Sequence, residues 1–193
     1  MIEAKGLGKR FGPRWVFRRV EFRLACGSAL VVTGPNGSGK STLLKIAAGL
    51  EAPSEGSVES AITDYRSDIG YSALDLNLYP TLTGREHLQL AARMRGADAR
   101  ADELLLRAGL TDAGDKLTGA YSTGMRARLR LALAIQTSPR LLILDEPGAS
   151  MDEEGKSLVE SIVQEQRAHG ALLLATNDAA ERRFAEYEIR LDG

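Results

Sequence analysis

The chain has 193 residues, with 26 acidic and 25 basic side chains, a formal net charge of -1 and 44% hydrophobic residues, which is enough for one domain with a substantial core. The balanced charge argues against a protein built mainly to bind nucleic acid. The single cysteine, Cys26, excludes an internal disulfide framework and a cysteine-ligated metal cluster, and fits a reducing cytoplasm. No apolar run approaches the roughly 18 residues that a membrane-spanning helix needs, and the alternating N-terminus has no signal-peptide core. Any membrane role is therefore expected to come through a partner.

Ile2 to Leu7 and Val20 to Leu24 alternate as half-buried strands do, with a turn at Gly12-Pro13 between them. The intervening Lys9-Arg10-Phe11-Gly12-Pro13-Arg14-Trp15 is aromatic for a chain with 5% aromatic residues. Ala29 to Thr33 reads as a buried strand. It leads into Gly34-Pro35-Asn36-Gly37-Ser38-Gly39-Lys40-Ser41-Thr42, which fits G-x-x-x-x-G-K-[ST]. Glycines there let consecutive backbone N–H groups cradle phosphate oxygens. The helix that follows aims its positive pole at the same place. Lys40 supplies a mobile charge to the terminal phosphates, and the Ser41 hydroxyl can ligate Mg²⁺. A ligand-free glycine-rich turn is the rival reading, but both flanks supply the strand and helix that a nucleoside-triphosphate site requires.

The helix starting at Gly39 should end near Gly49. Pro53-Ser54-Glu55-Gly56 has turn chemistry and predicts a hairpin returning toward Val58, and Asp68 to Tyr71 reads as a short strand. From Leu82 to Leu117 the pattern turns helical, over Gly84 to Arg95 and Ala97 to Ala108, with no strand candidate. Ser122 to Gln136 predicts a further helix with Met125, Leu129, Ala132 and Leu133 on one face, and with arginines at 126, 128 and 130 read as a solvated face. Leu141 to Leu144 and Ala171 to Thr176 are apolar strands flanking a helix over Asp152 to Ala168. Short apolar runs bounded by helices predict an α/β fold whose mostly parallel sheet is covered on both faces. To this core are added an N-terminal antiparallel β subdomain and an α-helical subdomain inserted at about residues 79–137, all within a single domain over 1–193. The two histidines, His87 and His169, have no metal-like companions and read as solvated or structural.

A second acidic motif narrows the chemistry. Leu141-Leu142-Ile143-Leu144 runs into Asp145-Glu146, and a buried parallel strand ending in Asp puts a carboxylate at the sheet edge beside the phosphate loop. Asp145 can there hold Mg²⁺ through its waters, while Glu146 can orient or deprotonate an attacking water. Two solvated acids before Pro147 are the alternative.

With these residues in place, the chain resembles the nucleotide-binding domain of ATP-binding cassette (ABC) proteins over nearly its whole length. The loop Gly34 to Thr42 and the Asp145-Glu146 strand match that family's Walker A and Walker B motifs. Tyr121-Ser122-Thr123-Gly124-Met125 stands where the family has its Leu-Ser-Gly-Gly-Gln signature, keeping the residue types at Ser122 and Gly124. An ordinary capped helix is an equal reading of that stretch taken alone. The resemblance implies that Ser122, Thr123 and Gly124 act in trans on the γ-phosphate bound to a second protomer, in a head-to-tail homodimer or heterodimer that sandwiches two MgATP. Asp152 matches the Asp ending the D-loop and can also cap the next helix. Phe11 stands where the family stacks an aromatic on adenine, with Trp15 as rival.

Two positions depart from the family. Leu74 occupies the place of the glutamine that touches Mg²⁺, although neighbouring Asp75 could ligate in its stead. Asn177 replaces the switch histidine, and an amide can donate one hydrogen bond to a γ-phosphate but cannot take up a proton near neutral pH. Slow hydrolysis with retained binding is therefore expected. The resemblance implies an ATPase, with Glu146, Lys40 and Asn177 at the reacting phosphate. It is expected on the cytoplasmic face of a membrane through a separate permease subunit, with no nucleic-acid partner. The stretch Leu76 to Thr83 followed by Arg85-Glu86-His87-Leu88 resembles export-type members, and the signature leans toward the cytochrome-c-biogenesis haem exporter. A regulatory module with little hydrolysis of its own, or a non-transport ABC ATPase, is the alternative.

Overall fold

The computed structural model describes residues 1–192. Its strands are β1 (Ile2–Phe11), β2 (Arg14–Leu24), β3 (Ala29–Thr33), β4 (Glu55–Ser60), β5 (Ile69–Ser72), β6 (Leu141–Asp145), β7 (Ala171–Ala175) and β8 (Tyr187–Arg190). The helices are α1 (Lys40–Ala47), α2 (Tyr65–Asp68), α3 (Gly84–Arg95), α4 (Ala101–Arg107), α5 (Thr123–Ile135), α6 (Glu153–His169) and α7 (Ala179–Arg182). The central sheet is parallel, in the order β5-β6-β7-β3-β8. A three-stranded antiparallel sheet, β2-β1-β4, packs beside it.

The apolar runs account for the central layer. Leu141, Leu142, Ile143 and Leu144 are all fully buried, yet their side chains alternate between two cores. Leu142 and Leu144 join Val31, Leu172 and Leu174 under α4, α5 and α6. Leu141 and Ile143 join Leu30, Val32 and Leu173 under α1 and the antiparallel sheet. Burying each such leucine stabilises the fold by about 2 kcal/mol, and covering on both faces is why these strands lack polar alternation.

Helix boundaries follow local chemistry. Thr83 and Glu86 form a reciprocal capping box at the start of α3, and Gly96 (φ 66°) closes it in the left-handed conformation. The helix expected over Ala97 to Ala108 begins only at Ala101, because Arg100 adopts φ 46° and spends its guanidinium on Glu103 and the Gln136 carbonyl. Ser122 caps α5 through the Met125 N–H (3.2 Å), and Asp152 caps α6 through the Gly155 N–H (2.9 Å).

Several expectations are corrected. β1 and β2 extend through the aromatic stretch, so Lys9, Phe11 and Trp15 lie in strands, with Gly12-Pro13 as the two-residue turn. Residues Glu55 to Ser60 form no hairpin of their own but run as an edge strand antiparallel to β1. The arginines of α5 are not simply solvated: Arg128 pairs with Asp152, and Arg130 Nε donates to the Leu76 carbonyl (2.7 Å). His87 is buried and structural, with Nε2 accepting from the Tyr79 N–H (2.9 Å) and Nδ1 facing the Thr83 carbonyl (2.7 Å), whereas His169 is exposed. Among the described residues no helix is long and apolar enough to cross a membrane.

Candidate functional site

Strand order brings the phosphate loop and the acidic motif together. β7 lies between β6 and β3, with Asp145 and Val32 both in register with Ala175. The loops leaving the carboxyl ends of β3, β6 and β7 therefore emerge side by side, as ligand sites in parallel sheets require. Gly34 has φ 143°, and a Cβ there would lie 2.2 Å from the Leu191 carbonyl oxygen. Gly39 caps α1 at φ 98°, and a Cβ would meet Val16 at 2.4 Å. Only glycine satisfies both the backbone and the space at these two positions.

The loop borders a cavity of about 690 Å³, a volume typical of small-ligand sites. Asn36, Gly37, Gly39, Lys40, Ser41 and Thr42 form one wall, and Asp145 and Glu146 close the far end. Lys40 is buried and donates from Nζ to the Gly34 carbonyl (2.8 Å), with Glu146 Oε1 at 3.7 Å. Burial pushes the Asp145 carboxyl above the usual carboxylate range, the nearby Ser41 hydroxyl opposes that rise, and the adjacent Glu146 charge adds to it. The buried Ser38 hydroxyl has no protein partner, and Pro35 is exposed. An orphan hydroxyl, free N–H groups and a lysine suit a polyphosphate. The Ser41–Asp145 oxygens suit Mg²⁺, a hard cation that takes few protein ligands and shares the phosphates.

Glu146 holds a left-handed backbone (φ 49°), a conformation that costs a side-chain-bearing residue about 1 kcal/mol or more. Its N–H donates to the Ala175 carbonyl (2.8 Å), and its Oε2 accepts from the Asn177 N–H (3.3 Å). The Asn177 amide is oriented by its neighbours, nitrogen toward the Gly34 carbonyl (2.7 Å) and oxygen toward Lys40 Nζ (3.1 Å). Asn177 thus joins the acidic pair at the phosphate loop.

At the cavity mouth stand Phe11, Arg14, Trp15 and Val16. Phe11 is 56% exposed with Lys9 Nζ 5.0 Å from its ring centroid, and Trp15 has the Arg18 guanidinium at 4.3 Å and that of Arg10 at 5.6 Å. Both aromatic candidates therefore line the same opening.

The remaining candidates lie elsewhere. Asp75 does not line the cavity, and Lys45 on α1 holds it at 2.6 Å. Leu74 beside it is 44% exposed. Ser122, Thr123, Gly124 and Asp152 form a separate group outside the cavity, joined by the Arg128–Asp152 ion pair. The sequence reading missed Arg14 at the mouth, Lys45 as the partner of Asp75, and the buried Glu181, which accepts from the Gly148 N–H (2.9 Å).

A parallel sheet with a glycine loop, buried lysine and strand-end carboxylates at one edge defines a phosphate-loop nucleotide-binding protein. A family model described as ABC transporter matches residues 17–149. The chain belongs to that family, as an ATP-binding domain of the ABC ATPase class. It is 36% identical over 192 residues to the daunorubicin resistance ATP-binding protein DrrA3 of Streptomyces coeruleorubidus, covering 93% of this chain and 61% of the relative. It is 32% identical over 203 residues to the cytochrome c biogenesis ATP-binding export protein CcmA 2 of Cupriavidus metallidurans, covering 100% of this chain and 96% of the relative. The structure of the ATP-binding cassette MJ0796, a dimeric post-hydrolysis state bound to ADP and Pi, matches with a TM-score of 0.90 at 26% identity, covering 100% of this chain and 94% of that one. The chain spans less than two thirds of the length of several of its curated relatives.

Proposed function

We propose that this chain binds and hydrolyses MgATP as one half of a head-to-tail pair, and drives transport through a separate membrane-spanning subunit on the cytoplasmic face. The observation that carries this reading is the meeting of Lys40, Ser41, Asp145, Glu146 and Asn177 at one phosphate loop. Glu146 orients and deprotonates the attacking water; Lys40 and the loop N–H groups stabilise charge on the transferring phosphoryl group. Mg²⁺, held by Ser41 and Asp145, would neutralise phosphate charge. Phe11 or Trp15 stacks on adenine. The separation of Ser122, Thr123, Gly124 and Asp152 from the cavity supports their action on the second protomer's nucleotide, and the dimeric cassette neighbour supports the pairing.

Turnover is slow in this reading, because Asn177 offers a neutral donor where the family has histidine, and Leu74 offers no metal ligand. The relatives named for drug resistance and cytochrome c biogenesis export support an export role, the latter the haem-exporter type. A regulatory module that binds ATP with little turnover is the second reading, favoured by the same two positions.

Phosphate release from purified protein separates the two. The first reading expects slow release abolished by Glu146→Gln; release at the Glu146→Gln background level favours the second. Isolation with the untagged partner from native membranes should bring a membrane-spanning protein, and ribosomes or DNA in its place would refute the transport reading.

A further inference from the structure

We propose that Glu181 is a positioning residue for ATP-dependent pairing of two chains, holding the loop 147–151 at the height at which it meets the second copy. This rests on the head-to-tail dimer proposed above.

Glu181 lies on α7, is 7% exposed, and has no ion-pair partner among the described residues. A buried carboxyl without a cation is costly unless its oxygens are hydrogen-bonded. Here Oε1 accepts from the Gly148 N–H (2.9 Å). The fit is close: a Cβ on Gly148 would stand 2.3 Å from Oε1. The loop it holds is not relaxed. Glu146 at its start and Ser150 near its end both have left-handed backbones without being glycine (φ 49° and 66°), so ties from outside must maintain them.

Those ties run to both halves of the composite site. Glu146 is bound to the Asn177 N–H at the phosphate loop. On the other flank, the Ser150 carbonyl oxygen lies 3.5 Å from where a Gly124 Cβ would be, and Asp152 holds Arg128 of α5. Glu181 is the post between them. Its loss loosens residues 147–151 relative to the start of α5, while Glu146 keeps its own hydrogen bonds to the Ala175 carbonyl and the Asn177 N–H and the phosphate loop is unaltered.

The test uses the full chain in a Glu146→Gln background, so that ATP persists. Sedimentation at varied ATP reads dimerisation, and calorimetry on dilute protein reads ATP affinity of the single chain. Glu181→Ala should weaken ATP-dependent dimerisation about tenfold, the effect of one buried hydrogen bond, with single-chain affinity unchanged. Glu181→Gln should restore it, since its amide oxygen can still accept from the Gly148 N–H. Gly148→Ala, whose Cβ evicts the carboxyl from the opposite side, should match Glu181→Ala and carries the test if that variant fails to fold. Unchanged dimerisation in the alanine variants, a parallel fall in single-chain affinity, or a glutamine variant as weak as alanine would overturn the inference. If the reference protein itself forms no ATP-dependent dimer, the pairing reading falls, and this one with it, before any change at 181 is made.

Discussion

Replacing Asn177 by histidine should raise ATP turnover. The Asn177 side chain sits 2.7 Å from the Gly34 carbonyl and 3.1 Å from Lys40 Nζ, one hydrogen bond from the groups proposed to hold the terminal phosphates, and its backbone is fixed by Glu146. A neutral amide donor contributes about 0.5–1.5 kcal/mol, and a charged donor about 1.5–3 kcal/mol. If that difference of about 1–1.5 kcal/mol is realised in the transition state, turnover rises about tenfold. Because an imidazolium loses its proton near pH 6.5, the gain should shrink as pH rises above that value. Phosphate release at saturating MgATP, with calorimetric ATP affinity alongside, measures both effects. Asn177→Ala should slow release by removing the donor. The reasoning is refuted if the histidine variant is no faster than the parent and the alanine variant no slower.

Three further outcomes follow from packing and burial. Gly34→Ala forces a strained φ and sets a Cβ 2.2 Å from the Leu191 carbonyl oxygen, so thermal unfolding should show a loss of about 2 kcal/mol or more; an unchanged melting temperature contradicts this. His87→Ala removes the partner of the Tyr79 N–H and one of the two donors to the Thr83 carbonyl, and urea unfolding should show about 1–3 kcal/mol of destabilisation with an unaltered slope. Burial raises the folded pKa of Glu181, so its contribution to stability is fully present below the unfolded carboxylate range and is lost as pH rises through the raised value. Glu181→Gln, which does not titrate, should therefore gain stability relative to the parent between acidic and neutral pH; a constant difference across that range would exclude a raised pKa.

What could be read from the sequence was what has a local signature. The phosphate loop announces itself because glycine is demanded at fixed spacing, and Leu141–Leu144 because a strand covered on both faces has no polar position to hide it. β8 was missed although Tyr187-Glu188-Ile189-Arg190 alternates apolar and polar residues, because it is a short edge strand of four residues with largely exposed side chains. The Lys45–Asp75 pair had no local signature, because its members stand 30 residues apart in sequence. Glu181 was one acid among 26, and only the folding of α7 against the loop after β6 buries it. Arg128 read as solvated because periodicity assigns a residue to a helix face without saying what approaches that face.

Trp15 is the chain's sole tryptophan, and it lines the cavity mouth beside Phe11 with the Arg18 guanidinium on its ring. Its fluorescence therefore arises from a single place, the rim that an incoming base must pass. Stacking of a purine or withdrawal of the arginine alters the surroundings of that indole directly, with no signal from other tryptophans to dilute it. On the proposed function, the protein carries an internal optical gauge of nucleotide occupancy, readable without label and on the timescale of binding itself.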